Sequence, residues 1–188
     1  YTALADWKIT NILDGEYICD RICEMEYDAL DKLKESLDGL SNRDINAYEE
    51  LMYGLLLSGL AMQMTGHSRP ASGAEHHMAH FWEMAVINDE IDAYHGEKVG
   101  VGLIQVSDIY HEAVKYLKEG NFKVKDHVDI ETDLIEKTFT NKELCESIKK
   151  TNDPNLLDLI DPKVLREKTE EILSLIHISE PTRLGMIS

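Results

Sequence analysis

The sequence predicts an all-α chain, and three observations predict it. Apolar residues recur at three- and four-residue spacing along nearly all of residues 1–172. Helix starts and stops are marked by Ser, Asp, Pro and Gly at suitable offsets. No polar–apolar alternation is long enough for a β-strand. At 188 residues and 43% apolar content, the chain can bury one domain core. There are no internal repeats, so residues 1–172 read as one helical unit.

The elements follow in order. Residues 2–13 form a first helix, with Leu4, Trp7, Ile9 and Ile12 as candidate buried positions and Gly15 as its stop. From Tyr17 to Leu37, the residues Ile18, Ile22, Met25, Leu30 and Leu33 keep near-helical spacing, and Gly39 marks the end. Ser41 to Asp44 gives an S-x-x-D start. The helix that follows, with Tyr48, Leu51, Met52, Leu55, Leu56, Leu60 and Met62, has little polar surface and is expected to be central and buried. Ser72-Gly73-Ala74-Glu75 reads as a capping box opening a helix that runs to about Asp89. A further helix extends from near His95 to Lys118, with Gly96, Gly100 and Gly102 in its early turns. Each glycine costs a helix about 1 kcal/mol against alanine, so the three point to a close backbone approach. After a polar connection beyond Gly120, helices are expected at 129–138 and 141–150. Asp153-Pro154 and Asp161-Pro162 each read as an N-cap followed by proline at the first helical position.

The formal net charge is -17, which repels polyphosphate backbones and argues against nucleic-acid binding. Cys19, Cys23 and Cys145 are an odd number without a disulfide framework, so they read as free thiols and a cytoplasmic location is expected. No apolar run reaches the length of a membrane span, and no signal segment opens the chain. Tyr1 already lies within an apolar-periodic run without an initiating Met, which points to a start cut from a longer protein. At the other end, Leu173 to Arg183 resembles the translation of a transposon adapter used in sequencing libraries, and Ile187-Ser188 fits the bases after its index. Residues 173–188 are therefore expected to be non-native read-through, and His177 is left out of the functional argument.

The stretch SRPASGAEHHMAH, residues 68–80, places His76, His77 and His80 directly after a loop with Pro and Gly. His76 and His80 are four apart and share a helix face, whereas His77 points about 100° away. The zincin pattern H-E-x-x-H is absent, because His77 stands where that motif needs its glutamate. His95 opens the next helix, where the positive dipole end disfavours an imidazolium and keeps a lone pair for a metal. Spacing alone leaves two readings open: a metal site, or histidines capped and hydrogen-bonded in a core.

The runs SRPASGAEHHMAHFWEM and YHGEKVGVGL, with YTALADWK at the chain start, resemble the sn-glycerol-1-phosphate dehydrogenases. These belong to a superfamily of metal-dependent polyol and alcohol dehydrogenases that also contains glycerol dehydrogenase and dehydroquinate synthase. The resemblance extends from Tyr1 to Ile172. It implies a two-domain enzyme, with an N-terminal α/β domain carrying NAD or NADP and a helical C-terminal domain carrying the metal. This chain is expected to be the second domain, with the nucleotide domain absent.

On that resemblance the metal ligands are His76 and His95, and the family's third ligand is an aspartate upstream of Tyr1; Asp6 matches instead the family's D-W pair. The metal is expected to be zinc or nickel, with ferrous iron also suited to such ligands. It would polarise the ketone of dihydroxyacetone phosphate while NAD(P)H delivers hydride. His80 is the candidate catalytic residue, orienting substrate or relaying a proton. Arg69, Ser72 and Gly73 are candidate contacts to the substrate phosphate, at a helix start close to His76; the alternative is that Arg69 only ties the loop down. Lys98 is a weaker candidate. The complete protein is expected to be a homo-oligomer, and the chain alone to be inactive. The competing readings are a glycerol or other polyol dehydrogenase, a dehydroquinate-synthase-like enzyme, or a non-catalytic helical metal-binding module.

Overall fold

The computed structural model describes residues 1–84, 92–120, 122–123 and 129–179. Among them every regular element is helical: α1 (Thr2–Asp14), α2 (Asp20–Glu35), α3 (Leu37–Ser41), α4 (Ile45–Thr65), α5 (Ala74–Glu83), α6 (His95–Glu119), α7 (Thr132–Thr138), α8 (Lys142–Thr151), α9 (Pro162–Glu167) and α10 (Thr169–Ser179). The all-α expectation holds.

Helix α1 ends at Gly15, whose φ of 79° lets its N–H return to the Asn11 carbonyl. That reversal brings the chain back as α2, and Leu4 and Trp7 of α1 meet Ile22 and Cys23 of α2 and Ala61 of α4 in one buried cluster. Ile9 and Ile12, expected to be buried as well, stay half-buried, since the face of α1 turned to the core is carried by Thr2 to Ala5 and Trp7. The Trp7 indole N–H donates to the Tyr17 carbonyl at 2.9 Å, which pins the α1–α2 turn onto the core. Helix α2 packs along α4, where the Ser58 hydroxyl donates to the buried Glu26 carboxyl at 2.9 Å.

Four local expectations need correction. Gly39 does not stop a helix but lies inside α3, and Ala47 of α4 would stand 2.8 Å from a side chain there, so the glycine admits α4 instead. The cap of α4 is Asp44, which accepts from the Asn46 N–H, and not Ser41, because the short α3 uses the residues up to Ser41. Helix α4 is not buried all round: only Ala47 and Ala61 are, while Met52, Leu55, Leu56, Leu60 and Met64 are exposed. It packs chiefly on α2 and α3, so its neighbours among the described residues cover one side of it. Asp153-Pro154 opens no helix; Asn155 caps a single 3-10 turn at Leu156–Leu159, accepting from the Leu157 N–H. The second such pair behaves as expected, with Asp161 capping α9 and Pro162 at its first position.

Helix α5 ends at Glu83, and the rest of the span expected to about Asp89 lies outside the described residues from 85 onward. Helix α10 runs across residues 172 and 173, with Ile172, Leu173 and Ile176 buried, and packs on α1 and α6. The remainder of the tail, 180–188, lies outside the described residues.

Of the three glycines early in α6, Gly102 is the close approach: a Cβ there would meet the Glu75 carbonyl oxygen at 2.7 Å, while Gly96 and Gly100 face open space. Gly102→Ala should therefore destabilise the chain by about 1–3 kcal/mol through forced separation of α5 and α6. Gly100→Ala, with no such contact, should instead gain up to about 1 kcal/mol of helix propensity. Urea unfolding of the two variants checks the opposite signs.

Candidate metal centre

Helix α5 begins differently from the capping box in the sequence. Its N-cap is Gly73, not Ser72, and no side chain of the cap residue bonds the first turn. The reason is the approach of α1: a Cβ on Gly73 would lie 3.0 Å from the Ala3 Cα and 2.6 Å from an Asp6 carboxylate oxygen. Only glycine fits between them. Asp6 then takes the role of the missing cap, accepting from the Ala74 N–H at 2.8 Å, and Glu75 accepts from the Gly73 N–H at 3.0 Å. The Ser72 N–H donates to the Ser68 carbonyl.

Arg69, Ser72 and Gly73, the expected anion contacts, each have a partner within the protein. Arg69 donates to both Glu16 carboxylate oxygens, at 2.9 and 2.5 Å, and is within 3.4 Å of the Thr10 hydroxyl. That is the alternative role, tying the α4–α5 loop to the end of α1. A guanidinium and a carboxylate make such a bidentate, charge-assisted pair, so an anion arriving at Arg69 would compete with Glu16.

Burial of Asp6 against this junction pushes its carboxyl up to about 6, with the Ala74 N–H and Arg69 opposing and the Glu75 charge adding to the rise. The native state therefore binds the proton more tightly than the unfolded chain, whose aspartate titrates near ~3.9. The contribution of Asp6 to stability is present below that value and is lost as pH rises through about 6. Asp6→Asn keeps an acceptor for the Ala74 N–H without the charge, so it should gain stability relative to the parent as pH rises from 4.5 to 7. Urea midpoints at those pH values test this; a constant difference would sink it.

From this start α5 presents His76 and His80 on one face, and α6 brings in His95 at its first turn. The three imidazoles form a triangle, with ring centroids 5.6 Å apart for His76 and His95, 5.4 Å for His80 and His95, and 6.2 Å for His76 and His80. His77 is exposed and belongs to none of these ring pairs. The two helices can come this close because Gly102 rests on the Glu75 carbonyl. The start of α6 is fixed by Glu97, which accepts from the Tyr94 N–H at 2.7 Å.

Two carboxylates that the sequence reading did not assign to the site complete it. Glu75, buried with 4% exposure, bonds the His76 Nδ1 at 2.9 Å. Glu83 bonds the His95 Nδ1 at 3.0 and 3.2 Å and lies 3.5 Å from the Lys98 ammonium. Burial alone would raise the Glu75 carboxyl, but hydrogen bonds from His76 and from backbone N–H groups hold it below its ordinary value. The His95 hydrogen bond, with the charges of His95 and then Lys98 behind it, does the same for Glu83. Among the described residues, His80, Glu83 and His95 form the group whose potential ligand atoms lie within 4.8 Å of one another. The spacing could have revealed Glu83: it stands three residues after His80 and seven after His76, on the same helix face.

Imidazole nitrogens together with carboxylates suit a divalent first-row metal such as zinc, nickel or ferrous iron, so the donor set fits the expected ion without selecting one. Lys98, the weaker candidate for the substrate phosphate, lies 3.5 Å from the Glu83 carboxylate. The free thiols Cys19, Cys23 and Cys145 are elsewhere; burial pushes the Cys23 thiol up to about 11, which makes it a poor soft ligand. No described helix is long and apolar enough to cross a membrane.

No family model and no solved structure matches the chain. Curated sequences do. The chain is 41% identical over 114 residues to the glycerol-1-phosphate dehydrogenase (NAD(P)+) of Bacillus licheniformis, covering 60% of this chain and 28% of that protein. It is 38% identical over 119 residues to the enzyme of the same name from Halalkalibacterium halodurans, covering 62% and 30%. With the enzyme of that name from the archaeon Pyrococcus furiosus the identity is 30% over 123 residues, covering 65% and 35%. The matches thus span about a third or less of each relative's length. The histidine runs and the similarity over longer stretches point the same way: the chain is similar to part of the length of curated glycerol-1-phosphate dehydrogenases.

Proposed function

We propose that this chain is the helical, metal-carrying part of an enzyme that reduces dihydroxyacetone phosphate to sn-glycerol 1-phosphate with NADH or NADPH. The observation that carries the reading is the convergence of three imidazoles, 5.4–6.2 Å apart, in a chain related to enzymes bearing that name. His76 and His95 would hold the divalent ion, zinc or nickel. When bound, such an ion supplies a Lewis acid for the ketone oxygen of the substrate.

The protein's own residues do the rest. His95 and His76 would hold the ion, and they stand on two helices whose spacing Gly102 sets. His80, adjacent to both rings, orients the substrate and can move a proton at the ketone oxygen. Arg69, Ser72 and Gly73 are the candidate phosphate contacts, and a phosphate there would compete with Glu16 for Arg69 and with Ser68 and Glu75 for the N–H groups at 72 and 73. NAD or NADP would be held by the part of the relatives' length beyond the matched stretch, which is also where an aspartate ligand upstream of Tyr1 would lie. Residues 1–172 form the domain in this reading and 173–188 are foreign to it, supported by the likeness of 173–183 to an adapter translation. The working enzyme is a cytoplasmic homo-oligomer.

The test is a chimera in which the matched segment of this chain replaces its counterpart in the B. licheniformis relative. It should oxidise NADH or NADPH with dihydroxyacetone phosphate and much more slowly with dihydroxyacetone. Equal rates with the free ketone would favour a polyol dehydrogenase, and metal binding without turnover a non-catalytic module.

A further inference from the structure

Two of the three clustered histidines share an arrangement: each has its Nδ1 against a glutamate carboxylate that comes from α5. His76 is held by Glu75, the residue before it, at 2.9 Å. His95, at the start of α6, is held by Glu83 from the last turn of α5, at 3.0 and 3.2 Å. An imidazole whose Nδ1–H donates to a carboxylate has its remaining lone pair on Nε2, and the carboxylate fixes the ring plane and raises the basicity of that nitrogen. The two carboxylates are anchored by different means. Glu75 is buried, takes the Gly73 N–H as well, and its backbone carbonyl is wedged against Gly102. Glu83 is exposed and lies 3.5 Å from Lys98, which sits on the same helix as His95, one turn on.

We infer that Glu83 and Glu75 are positioning residues, which orient His95 and His76 through Nδ1 so that each presents Nε2 to a divalent metal. The inference rests on the metal reading above and adds two residues to it. Glu83 is the informative one, because it bridges α5 and α6 and sets the rotation of a ring that its own helix does not constrain. The competing role for Glu83, suggested by its place within 4.8 Å of ligand atoms on His80 and His95, is direct ligation. The two roles separate chemically: glutamine still accepts a hydrogen bond from Nδ1–H through its amide oxygen, yet is a poor metal ligand beside a carboxylate.

The experiment uses the 188-residue chain with Glu83→Ala and Glu83→Gln, with His95→Ala as the control. Long-range proton–nitrogen spectra of the metal-free chain at pH 8 should show His95 protonated at Nδ1 in the parent and in Glu83→Gln, and shifted toward the Nε2-protonated form in Glu83→Ala. Zinc titration by calorimetry should show about 10–100-fold weaker binding for Glu83→Ala, mostly restored in Glu83→Gln. The visible spectrum of the cobalt-loaded chain should be the same for the parent and Glu83→Gln. Any of three results would overturn the inference: a parent His95 protonated at Nε2, parental zinc affinity in Glu83→Ala, or a cobalt spectrum altered by Glu83→Gln, which would mark direct ligation. If the parent binds zinc no more tightly than His95→Ala, both in this chain and in the chimera that supplies the part upstream of Tyr1, the metal reading itself fails and the inference falls with it. If binding depends on His95 but not on Glu83, the inference alone fails.

Discussion

His95→Ala in the chimeric enzyme is expected to lower turnover of dihydroxyacetone phosphate by about 10³-fold or more, the scale of losing the electrostatic stabilisation of a developing oxyanion. Zinc content should fall in parallel. His95 is common to both ligand sets: it pairs with His76 in the reading from resemblance, and with His80 and Glu83 in the geometry. His76→Ala and His80→Ala then divide the two sets. Loss of zinc with His76→Ala, and loss of turnover with retained zinc in His80→Ala, is the pattern for His76 as ligand and His80 as the proton-relaying residue. The reverse pattern would place His80 on the metal. His77→Ala is the control, since that ring is exposed and turned away from the cluster, and it should leave both measurements unchanged. Rates should be taken with saturating and with limiting substrate, because a pure loss of metal lowers turnover while a misplaced substrate contact appears first in KM.

The histidine triangle was legible because its parts are local. An i, i+4 pair on a helix and a histidine at a helix start are both written in spacing and punctuation, and α6 begins at His95 as its pattern predicts. What surrounds the triangle was not legible, because it depends on which helix lands where. Ser72 looked like a cap, but the arrival of α1 put the Asp6 carboxylate on the Ala74 N–H and left room at residue 73 only for glycine. Arg69 looked like an anion donor, and its pairing with Glu16, 53 residues earlier, was not written in the spacing. Glu75 was assigned to capping and turned out to serve both the Gly73 N–H and His76. Glu83 could have been found from its heptad-like offset to His76, but its partnership with His95 needs the fold of the intervening chain. Helix α4 shows the same limit in packing: an apolar composition states that a helix has faces to cover, not which of them this chain covers.

Trp7→Ala should be the most damaging single substitution in the core, at about 3–5 kcal/mol. The side chain is fully buried at the centre of the cluster formed by Leu4, Ile22, Cys23 and Ala61, so truncation opens a cavity that helices from three parts of the chain would have to collapse into. It also removes the 2.9 Å hydrogen bond to the Tyr17 carbonyl and the edge-on packing against His67, which lies in the loop leading to α5. A domain of this size has only about 5–15 kcal/mol of stability in all, so the loss is at least about a fifth of it and at the low end nearly all. Trp7→Phe separates the contributions, since it keeps most of the buried volume but leaves the Tyr17 carbonyl without its donor, at a cost of about 1–2 kcal/mol. Because Asp6 is the adjoining residue, a disturbed α1 would also release the carboxylate from the Ala74 N–H. Trp7→Ala should therefore weaken zinc binding although the indole is not part of the histidine triangle, whereas Trp7→Phe should not. Urea unfolding with zinc titration on both variants tests this; full zinc affinity in a destabilised but folded Trp7→Ala chain would show that the histidines hold their places without the core beneath α1.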